Sequence, residues 1–500
     1  MTDSPLPFAV MSFRTTPLAP LFLLPVTLAP EPPHFTPLQP DLLAAGTSFT
    51  NAAADYDGDG DLDLFVGFGG APTRLYRNDA GTLVDVAAAA GVNDARGVRS
   101  AAWADYDSDG DPDLLVGFAP GATSVLTLYR NDAGRFTNVT ANANVAVATG
   151  GVRQCSFVDI DGDGDLDLFV AFRDRANMLF RNTTNHFVEM ADSVGLADAR
   201  KSVGALFLDA DEDGDLDLLV ANQDGDANSL FRNDGARFTD VAEALGAQWG
   251  GRAPRLVTNG TVRPCAADVN GDGHFDLFFA NYGPNGLLLK RDGVFADASA
   301  TWGIGTDGRY DTCAFADIDH DQQLDLYVNG TVTGGTSYPD FLYMNGGDRF
   351  TDVTPVNITA LQADHGALWF DIDRDGDLDL ALTGAQPAGM HFVLRNDLPA
   401  AIARRSLAVR VVDGQGRATR AGAEVRLFAP GTRRLLGTRL MDTGSGYNAQ
   451  SDMPVHFGLA QRKPVDVEIT WPRRGTRQRV MVRNVAPARY AGTALVVKVP

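Results

Sequence analysis

Seven short runs of aspartate recur along the chain, and carboxylate oxygens at this density are suited to holding a cation. Each run approximates Asp-x-Asp-Gly-Asp-Gly-Asp-Leu-Asp, with carboxylate or amide side chains at positions 1, 3, 5 and 9. Two like charges about 4 Å apart repel by roughly 1 kcal/mol in water and about 4 kcal/mol near a protein surface. A folded loop therefore requires a cation at its centre. Oxygen ligands in a flexible loop suit Ca²⁺, so the sequence predicts up to seven calcium ions.

The predicted ligands form seven groups in chain order, which we call acidic loops 1 to 7. They are Asp55, Asp57, Asp59 and Asp63; Asp105, Asp107, Asp109 and Asp113; Asp159, Asp161, Asp163 and Asp167; Asp209, Asp211, Asp213 and Asp217; Asp268, Asn270, Asp272 and Asp276; Asp317, Asp319, Asp321 and Asp325; and Asp371, Asp373, Asp375 and Asp379. Gly at position 6 permits a sharp turn, and loop 6 has Gln322 there. We therefore expect loop 6 to be the weakest site.

The flanks of the loops exclude an EF-hand. That motif needs a bidentate Glu at position 12 and helices on both sides. Position 12 is apolar in all seven loops, as in Val66 and Leu382, and strand-like segments flank them. Each repeat indicates an apolar strand, the acidic loop, a second strand, a third ending in Arg-Asn such as Arg77-Asn78, and a fourth with Phe-Thr such as Phe136-Thr137.

The spacing of the loops predicts the fold. Successive first aspartates lie 50, 54, 50, 59, 49 and 54 residues apart, and a period near 50 suits a four-stranded propeller blade. The sequence predicts an all-β chain, with a seven-bladed β-propeller over 32–400 and a small β-sandwich over 401–500. The seventh repeat lacks its fourth strand. We expect a spare strand near 34–37 to complete it, which would remove two exposed sheet edges.

The first 31 residues are expected to be a leader and a candidate signal peptide. Arg14 precedes an apolar stretch, Leu18–Leu28, that Pro20 and Pro25 interrupt. The alternative is a Pro-rich leader without regular structure. No other run is long enough to span a membrane. We expect a secreted protein, either periplasmic or extracellular.

Charge is distributed unevenly along the chain. Residues 401–500 contain 18 Lys and Arg and 6 Asp and Glu, a net of +12, so the total of −22 leaves −34 for residues 1–400. Such an acidic region repels phosphate backbones, which excludes nucleic acid as a partner. The basic tail can dock on the acidic repeats or on an anionic ligand, and simple complementarity favours the first.

The cysteines are too few for a disulfide framework. Cys155, Cys265 and Cys313 each stand just before an acidic loop. The favoured interpretation is that all three cysteines are small buried thiols. A Cys265–Cys313 bridge between neighbouring repeats is the alternative.

Cations recur in the connections between repeats, on the side expected to lie opposite the acidic loops. Equivalent positions in a propeller face one central axis, so these residues predict a basic ring that binds an acidic protein segment or an anionic glycan. Local pairing with Asp94, Asp198, Asp307 and Asp311 is the alternative. The candidate ligand-binding residues are Arg96, Arg99, Arg153, Arg200, Trp249, Arg252 and Arg309.

Catalytic motifs are not found in the sequence. It contains no His-Glu-x-x-His, Gly-x-Ser-x-Gly or phosphate-cradling glycine loop. His456 is interpreted as structural. A binding protein without catalysis is favoured, and the alternative is a calcium-dependent glycan lyase or hydrolase. For that alternative, Tyr310 and His365 are the candidates for proton transfer.

The acidic repeats resemble the FG-GAP/VCBS repeats of integrin-α-type propellers over about residues 35–400. The tail resembles the ASPIC/UnbV domain of cartilage-acidic-protein-like secreted proteins. Its matching segments are 420–425, 444–452, 456–459 and 465–472. The resemblance implies calcium loops on one face, ligand binding on the other, an adhesion or ligand-binding role, and an extracellular or periplasmic location. It implies no reaction.

Overall fold

The computed structural model describes residues 1–2, 32–44, 46–121, 124–250, 259–333, 335–362, 365–385, 389–473 and 475–500. Across these residues, antiparallel pairing produces seven four-stranded units, which we number 1 to 7 in the order of their acidic loops. Units 5 and 6 are joined into one sheet because their second and first strands also pair. Among the described residues, no helix is long and apolar enough to cross a membrane.

The seven units contain most of the described strands. The first strand is β1 (Phe35–Pro37). Units 1 to 3 contain β2 (Ser48–Ala54), β3 (Asp63–Phe68), β4 (Arg74–Asp79), β5 (Thr82–Asp85), β6 (Val98–Ala104), β7 (Asp113–Phe118), β8 (Leu126–Asp132), β9 (Arg135–Asn138), β10 (Val152–Val158), β11 (Asp167–Phe172), β12 (Met178–Asn182) and β13 (Phe187–Glu189). Units 4 and 5 contain β14 (Ser202–Leu208), β15 (Asp217–Asn222), β16 (Ser229–Asn233), β17 (Phe238–Asp240), β18 (Gly260–Ala267), β19 (Asp276–Pro284), β20 (Gly286–Arg291) and β21 (Val294–Asp297).

Units 6 and 7 carry two departures from this pattern. Unit 6 has a small extra hairpin between its second and third strands, and unit 7 takes its outer strand from the N-terminal part of the chain. Their strands are β22 (Asp307–Ala316), β23 (Asp325–Gly330), β24 (Val332–Thr333), β25 (Thr336–Ser337), β26 (Phe341–Asn345), β27 (Phe350–Asp352), β28 (Ala367–Phe370), β29 (Asp379–Ala385) and β30 (Met390–Asn396).

The seven units close into a ring. The first strand of each unit contacts the first strands of both neighbours, and β28 of unit 7 contacts β2 of unit 1. Strand β1 pairs antiparallel with β30, with Phe35 opposite Asn396. First and second strands are almost wholly buried and rich in apolar residues, since they lie between neighbouring units. The all-β propeller fold predicted from the sequence is confirmed.

Short helices connect the strands within the described residues. They are α1 (Pro40–Leu43), α2 (Ala87–Ala90), α3 (Ala191–Val194), α4 (Ala242–Leu245), α5 (Val356–Thr359), α6 (Ala400–Ala403) and a 3₁₀ turn at Pro487–Tyr490. In three of the connections between units, at α2, α3 and α4, the helix ends at a glycine in the left-handed region, for example Gly91 at φ +94°.

The C-terminal region contains two sheets that share one core. One sheet has the order β35-β31-β38 and the other β33-β32-β36-β37. Val409, Phe457 and Val497 of the first pack with Val425 and Ile469 of the second. The strands are β31 (Ser406–Asp413), β32 (Glu424–Phe428), β33 (Leu435–Leu440), β34 (Ala449–Gln450), β35 (Val455–Gly458), β36 (Val465–Pro472), β37 (Arg477–Val485) and β38 (Ala494–Val499).

One segment of this C-terminal region, residues 443–452, fills the centre of the propeller, and we call it the plug. Its strand β34 pairs in parallel with β6 of unit 2. The Gln450 side chain exchanges two hydrogen bonds with the Phe157 backbone in unit 3, at 2.7 and 2.9 Å. Thr443 does the same with the Phe207 backbone in unit 4. The plug therefore ties the C-terminal region to the inner strands of the ring.

The cysteines correct the favoured interpretation from the sequence. Cys265 of unit 5 and Cys313 of unit 6 form a disulfide, which was the alternative. Only Cys155 is a free buried thiol among the described residues. Neighbouring inner strands bring two half-cystines together, and that proximity cannot be deduced from residue types alone.

Candidate metal centres and the opposite face

Each acidic loop is held by the same backbone hydrogen bonds. In loop 1, the Asp63 carboxylate at position 9 accepts from the backbone N–H groups of Tyr56 at 3.0 Å and Asn78 at 2.8 Å. Oδ2 of Asp55 at position 1 accepts from the N–H of Gly60 at 3.0 Å. The position-9 pattern recurs on Asp113, Asp167, Asp217, Asp276, Asp325 and Asp379.

Two left-handed residues turn each loop back on itself. Positions 4 and 6 have positive φ in all seven loops. Position 6 is glycine in six of them, and loop 6 instead places Gln322 at φ +82°. A non-glycine residue there costs roughly 1–2 kcal/mol. The substitution noticed in the sequence therefore falls on a strained position.

The turns bring carboxylate oxygens together without giving each of them a partner. In loops 1, 2, 3, 4 and 6, three carboxylates offer ligand atoms that all lie within 4.8 Å of one another. Among the predicted ligands, seven buried oxygens accept no hydrogen bond, and five of them belong to position 1. They are Oδ1 of Asp55, Asp105, Asp107, Asp209, Asp268, Asp371 and Asp373. At position 7, Oδ1 of Asp61 and both carboxylate oxygens of Asp377 are also without a hydrogen-bond partner. Orphaned oxygens converging on one point fit a hard divalent cation, so the clusters can hold metal ions.

The electrostatics agree with this geometry. Burial raises the pKa of Asp63 from 3.8 to about 8 and that of Asp113 to about 9. At position 1, burial together with the neighbouring aspartates raises the pKa of Asp105 and Asp371 to about 7. Without a cation, these carboxylates are poorly solvated and favour the protonated form. A bound divalent ion would supply the missing compensation.

In six units, an asparagine at the end of the third strand joins the unit to the one before it, a role that the sequence did not reveal; it follows arginine in five units and Met344 in unit 6. Asn131 of unit 2 donates to the backbone oxygens of Tyr56 in loop 1 and Pro112 in loop 2, at 2.8 and 3.1 Å. The link to the preceding loop recurs in units 1, 3, 4, 6 and 7, through Asn78, Asn182, Asn233, Asn345 and Asn396. The repetition of Arg-Asn was the available signal, but its partner lies in another repeat.

Unit 5 makes the same connection with different chemistry. Lys290 occupies the asparagine position, and its Nζ atom lies 2.9 Å from Oε1 of Glu212 in loop 4. His274 of loop 5 also contacts Glu212, at 2.5 Å. Although burial opposes it, these two partners lower the pKa of Glu212 to about 2. An ion pair therefore replaces an amide at one of the seven junctions.

The C-terminal region lies on the acidic loops, as the charge distribution predicts. Nε of Arg477 is 3.0 Å from Oδ2 of Asp209, and Nη1 of Arg420 is 3.7 Å from Oδ2 of Asp159. The Arg426 guanidinium donates to the Gly273 carbonyl oxygen at 3.0 Å. These three arginines are thus directed at the acidic loops.

One residue of each unit, six places before the first aspartate of its acidic loop, lies at the end of the central channel opposite the loops. We call these seven residues the mouth ring. In six units this residue lies at a β-bulge in the first strand, and a bulge re-aims a side chain. The mouth ring consists of Phe49, Arg99, Arg153, Val203, Val262, Asp311 and His365.

Tyr447 of the plug lies at the centre of the mouth ring. It packs with Val203 and Val262, and its ring centroid is 4.9 Å from that of His365. Burial raises its pKa, the Asp311 charge adds to the shift, and Arg153 and Arg99 oppose it. The hydroxyl is therefore neutral, and the plug provides the floor of this surface.

The mouth ring combines aromatic faces with charge. Phe49 stacks on His365 with centroids 4.5 Å apart, and the Arg99 guanidinium lies 4.7 Å from the Phe49 centroid. His365 Nδ1 lies 2.9 Å from Oδ2 of the buried Asp311. Arg153 is mostly buried, and that burial lowers its pKa.

The other predicted ligand-binding residues fall in several places. Arg96 pairs with Asp94 at 2.6 Å and Arg200 with Asp198 at 2.9 Å, which is the local pairing left open above. Arg309 lies 4.8 Å from the ring centroid of Tyr282, whose hydroxyl bonds to Asp311 of the mouth ring.

The remaining predicted residues are not members of the mouth ring or lie outside the described residues. Trp249 is half-buried against Gly286 of unit 5 and donates to the Pro284 carbonyl oxygen at 3.3 Å. Arg252 lies outside the described residues. Tyr310, a candidate for proton transfer, is buried within β22 and packs near Phe341. His456 donates from Nε2 to the Gly376 carbonyl oxygen at 2.9 Å.

The ring of four-stranded units with an acidic loop in each defines a β-propeller of acidic-loop repeats. The FG-GAP-like repeat model matches residues 55–116, 118–170, 159–220, 209–277 and 268–328, and the ASPIC and UnbV model matches residues 414–491. The chain belongs to the FG-GAP-like repeat family and carries an ASPIC and UnbV module after the repeats.

About half of the chain aligns with curated relatives. Cartilage acidic protein 1 of Homo sapiens is 30% identical over 287 residues, covering 53% of this chain and 39% of the relative. The Mus musculus protein is 28% identical over 276 residues, covering 50% and 38%. The chain therefore spans about two fifths of the length of the relatives it matches.

Solved structures resemble the chain only at low similarity. BBS1N in complex with ARL6DN has a TM-score of 0.44 at 14% identity, covering 71% of this chain and 94% of that chain. YCF48 bound to D1 peptide has a TM-score of 0.45 at 9% identity, covering 74% and 97%. The exotype rhamnogalacturonan lyase YesX has a TM-score of 0.40 at 10% identity, covering 71% and 72%.

Proposed function

We propose that this protein is a secreted, calcium-binding propeller that binds an anionic ligand at the mouth ring without transforming it. The observation that carries the proposal is the mouth ring itself, where Arg99 lies over Phe49, Phe49 stacks on His365, and Arg153 interacts with Tyr447 at the centre. Guanidinium groups pair with carboxylate or sulfate, and aromatic faces cover the apolar face of a sugar. An acidic glycan is the class best matched, and an acidic protein segment is the other.

Calcium is proposed as the ion of the acidic loops. The donor set is all oxygen, it includes buried oxygens without hydrogen-bond partners, and the loops turn through flexible glycines. Ca²⁺ takes six to eight oxygen ligands at 2.3–2.6 Å and tolerates irregular geometry, whereas zinc prefers nitrogen and sulfur. Seven divalent ions would also offset much of the net charge of −22.

Secretion is supported by the Cys265–Cys313 disulfide, because disulfides form and persist in oxidising compartments. Periplasmic and extracellular locations both satisfy this. Millimolar calcium outside the cell would suffice even for weak loop sites, since extracellular modules bind calcium with dissociation constants of about 10⁻⁴–10⁻³ M.

The decisive experiment reverses charge within the mouth ring. The calcium-loaded Arg99→Glu/Arg153→Glu variant is compared with wild type on an array of sulfated and uronic-acid-containing oligosaccharides. We expect binding to weaken at least about tenfold, because favourable charge pairs become repulsive. Arg175→Glu is the matched control, since Arg175 is exposed and lies outside the ring. Equal loss in the control, or intact binding in the double variant, would overturn the mouth ring as the site.

One observation favours a second candidate function on the same surface. His365 is oriented by the buried Asp311, which also accepts from Tyr282, and such an arrangement can support proton transfer. An acidic glycan bound there could then be cleaved. Product analysis after prolonged incubation separates the two candidates. New chain ends that vanish in His365→Gln would establish catalysis, and an unchanged glycan retained on the protein supports the binder.

A further inference from the structure

Beside the plug, the channel contains an apolar cavity whose wall includes no mouth-ring residue and only Asp371 among the predicted metal ligands. Its volume is about 250 Å³, and it lies between the plug and the inner strands of units 4 to 7. Its walls include Leu206, Phe315, Leu368, Trp369, Leu440 and Met453. Phe315, Leu440 and Met453 remain partly exposed although they line the interior of the channel. Apolar surface left open in this way is covered favourably by an apolar molecule.

Two polar atoms of the cavity wall are buried without a hydrogen-bond partner: Oδ1 of Asp371, which belongs to the cation site of loop 7, and Nδ1 of His456. His456 Nε2 lies 2.9 Å from the Gly376 carbonyl oxygen, so that nitrogen carries the proton and donates it. Burial lowers the pKa of His456 to about 3, so the imidazole is neutral. Nδ1 is therefore a hydrogen-bond acceptor, and it is buried without a donor. A buried acceptor without a partner costs about 1–3 kcal/mol, so a molecule that donates to it gains specifically.

The cavity is accessible from the side of the acidic loops. A groove of about 500 Å³ runs between the C-terminal region and loops 1, 2 and 7. The groove and the cavity share wall residues, namely Leu62, Asp371, Ala408, Pro454 and His456. A molecule passing along the groove therefore meets His456 at the inner end.

We propose that this cavity is a binding site for a small, mainly apolar molecule that donates one hydrogen bond, through a hydroxyl or an amine, to Nδ1 of His456. An apolar cavity of 150 Å³ accommodates benzene, so about 250 Å³ suits a bicyclic molecule of about ten non-hydrogen atoms. The site is separate from the mouth ring, and its occupation requires no anionic ligand.

The test uses two probes that differ by one hydroxyl group, 2-naphthol and naphthalene, with the full-length calcium-loaded protein. Binding is followed by quenching of tryptophan fluorescence, since Trp369 lines the cavity. We expect 2-naphthol to bind about tenfold more tightly than naphthalene, the effect of one hydrogen bond to a buried acceptor. His456→Phe should remove this difference while leaving naphthalene binding intact.

A cavity-filling variant locates the site. Ala314 lines the cavity, so Ala314→Leu should abolish binding of both probes, whereas Ala88→Leu at an exposed position of α2 should leave it unchanged. Calcium-dependent melting confirms that each variant is folded. Equal affinity of the two probes for wild type, full binding by Ala314→Leu, or no binding of either probe up to its solubility would overturn the proposal. None of these results bears on glycan binding at the mouth ring.

Discussion

The two ends of the propeller channel differ in how closely they follow the repeat. On the loop face, all seven position-9 aspartates accept the same two backbone hydrogen bonds, from Asp63 in loop 1 to Asp379 in loop 7. At the mouth ring, the equivalent residue of each unit is an aromatic, a cation, an aliphatic, an acid or an imidazole. The backbone bulge at that residue is nevertheless retained in six units. Uniform chemistry therefore marks the face that maintains the fold, and diverse chemistry on a uniform backbone marks the face that can recognise a ligand.

Removing calcium should destabilise the acidic loops and produce the largest effect on the stability of the fold. Each site saturated at 100 times its dissociation constant stabilises the fold by about 2.7 kcal/mol, and several such sites act together. We expect EDTA to lower the melting temperature by at least about 10 °C, measured by circular dichroism. Excess Ca²⁺ should restore it. Superimposable melting curves with and without EDTA would show that the loops do not bind structural ions.

The junctions between units should be the next most sensitive. Asn131→Leu removes the donor for two carbonyl oxygens and the acceptor for the Gly134 N–H. We expect a loss of about 2–4 kcal/mol in the free energy of unfolding, measured by urea denaturation. Lys290→Met is the matched variant at the fifth junction. Lys290 is buried, but Glu212 is about one-third exposed and keeps its contacts with His274 and Arg477, so we expect a loss of only about 1 kcal/mol. Equal losses in the two variants would contradict this ranking.

Replacing Gln322 by glycine should stabilise loop 6, the one acidic loop without glycine at position 6. Gln322→Gly relieves a left-handed residue at φ +82°, so we expect a gain of about 1 kcal/mol in the free energy of unfolding in calcium. Gly110→Gln makes the opposite change in loop 2, at φ +105° and with open space around it. It should cost a similar amount. A destabilised Gln322→Gly variant would show that the Gln322 side chain has a role of its own.

The smallest effect should come from a cation close to the mouth ring but outside it. Arg96→Gln should change the dissociation constant for an acidic oligosaccharide less than about twofold, because Arg96 already pairs with Asp94. Arg99→Gln in the mouth ring should weaken binding by about tenfold. Surface plasmon resonance on both variants provides the comparison. Similar losses would extend the ligand site to the connections between units.

The loop face was largely predictable from the sequence because its signals are local. The four side chains of each ligand set lie within nine residues. The sets recur about every 50 residues, a spacing that accommodates the four strands of one unit. The mouth ring was predictable in part, since Arg99 and Arg153 share a register with Phe49 and His365. These four residues come together around one axis because the seven units close into a ring.

The plug was not predictable from the sequence. Residues 443–452 hydrogen bond mainly to backbone groups of the inner strands, for example the Thr443 hydroxyl to the Phe207 carbonyl oxygen at 2.7 Å. Nearly every residue type can supply a backbone N–H or carbonyl group, so such partners cannot be inferred from the sequence. The Cys265–Cys313 bridge was only the alternative interpretation, and the Lys290–Glu212 junction was missed, for a related reason, since each depends on a neighbour about 50 or more residues away.

The pairing of β1 with β30 has a consequence for synthesis. Thr36 and Asp397, which hydrogen bond at 2.6 Å across this junction, are separated by 361 residues. A ribosome adding about 5–20 residues per second needs roughly 20–70 s to make that stretch. During this interval the nascent N-terminal strand has no native partner, and the growing arc of units keeps an open edge. Folding in the cell should therefore depend on factors that shield an unpaired strand until the last unit emerges.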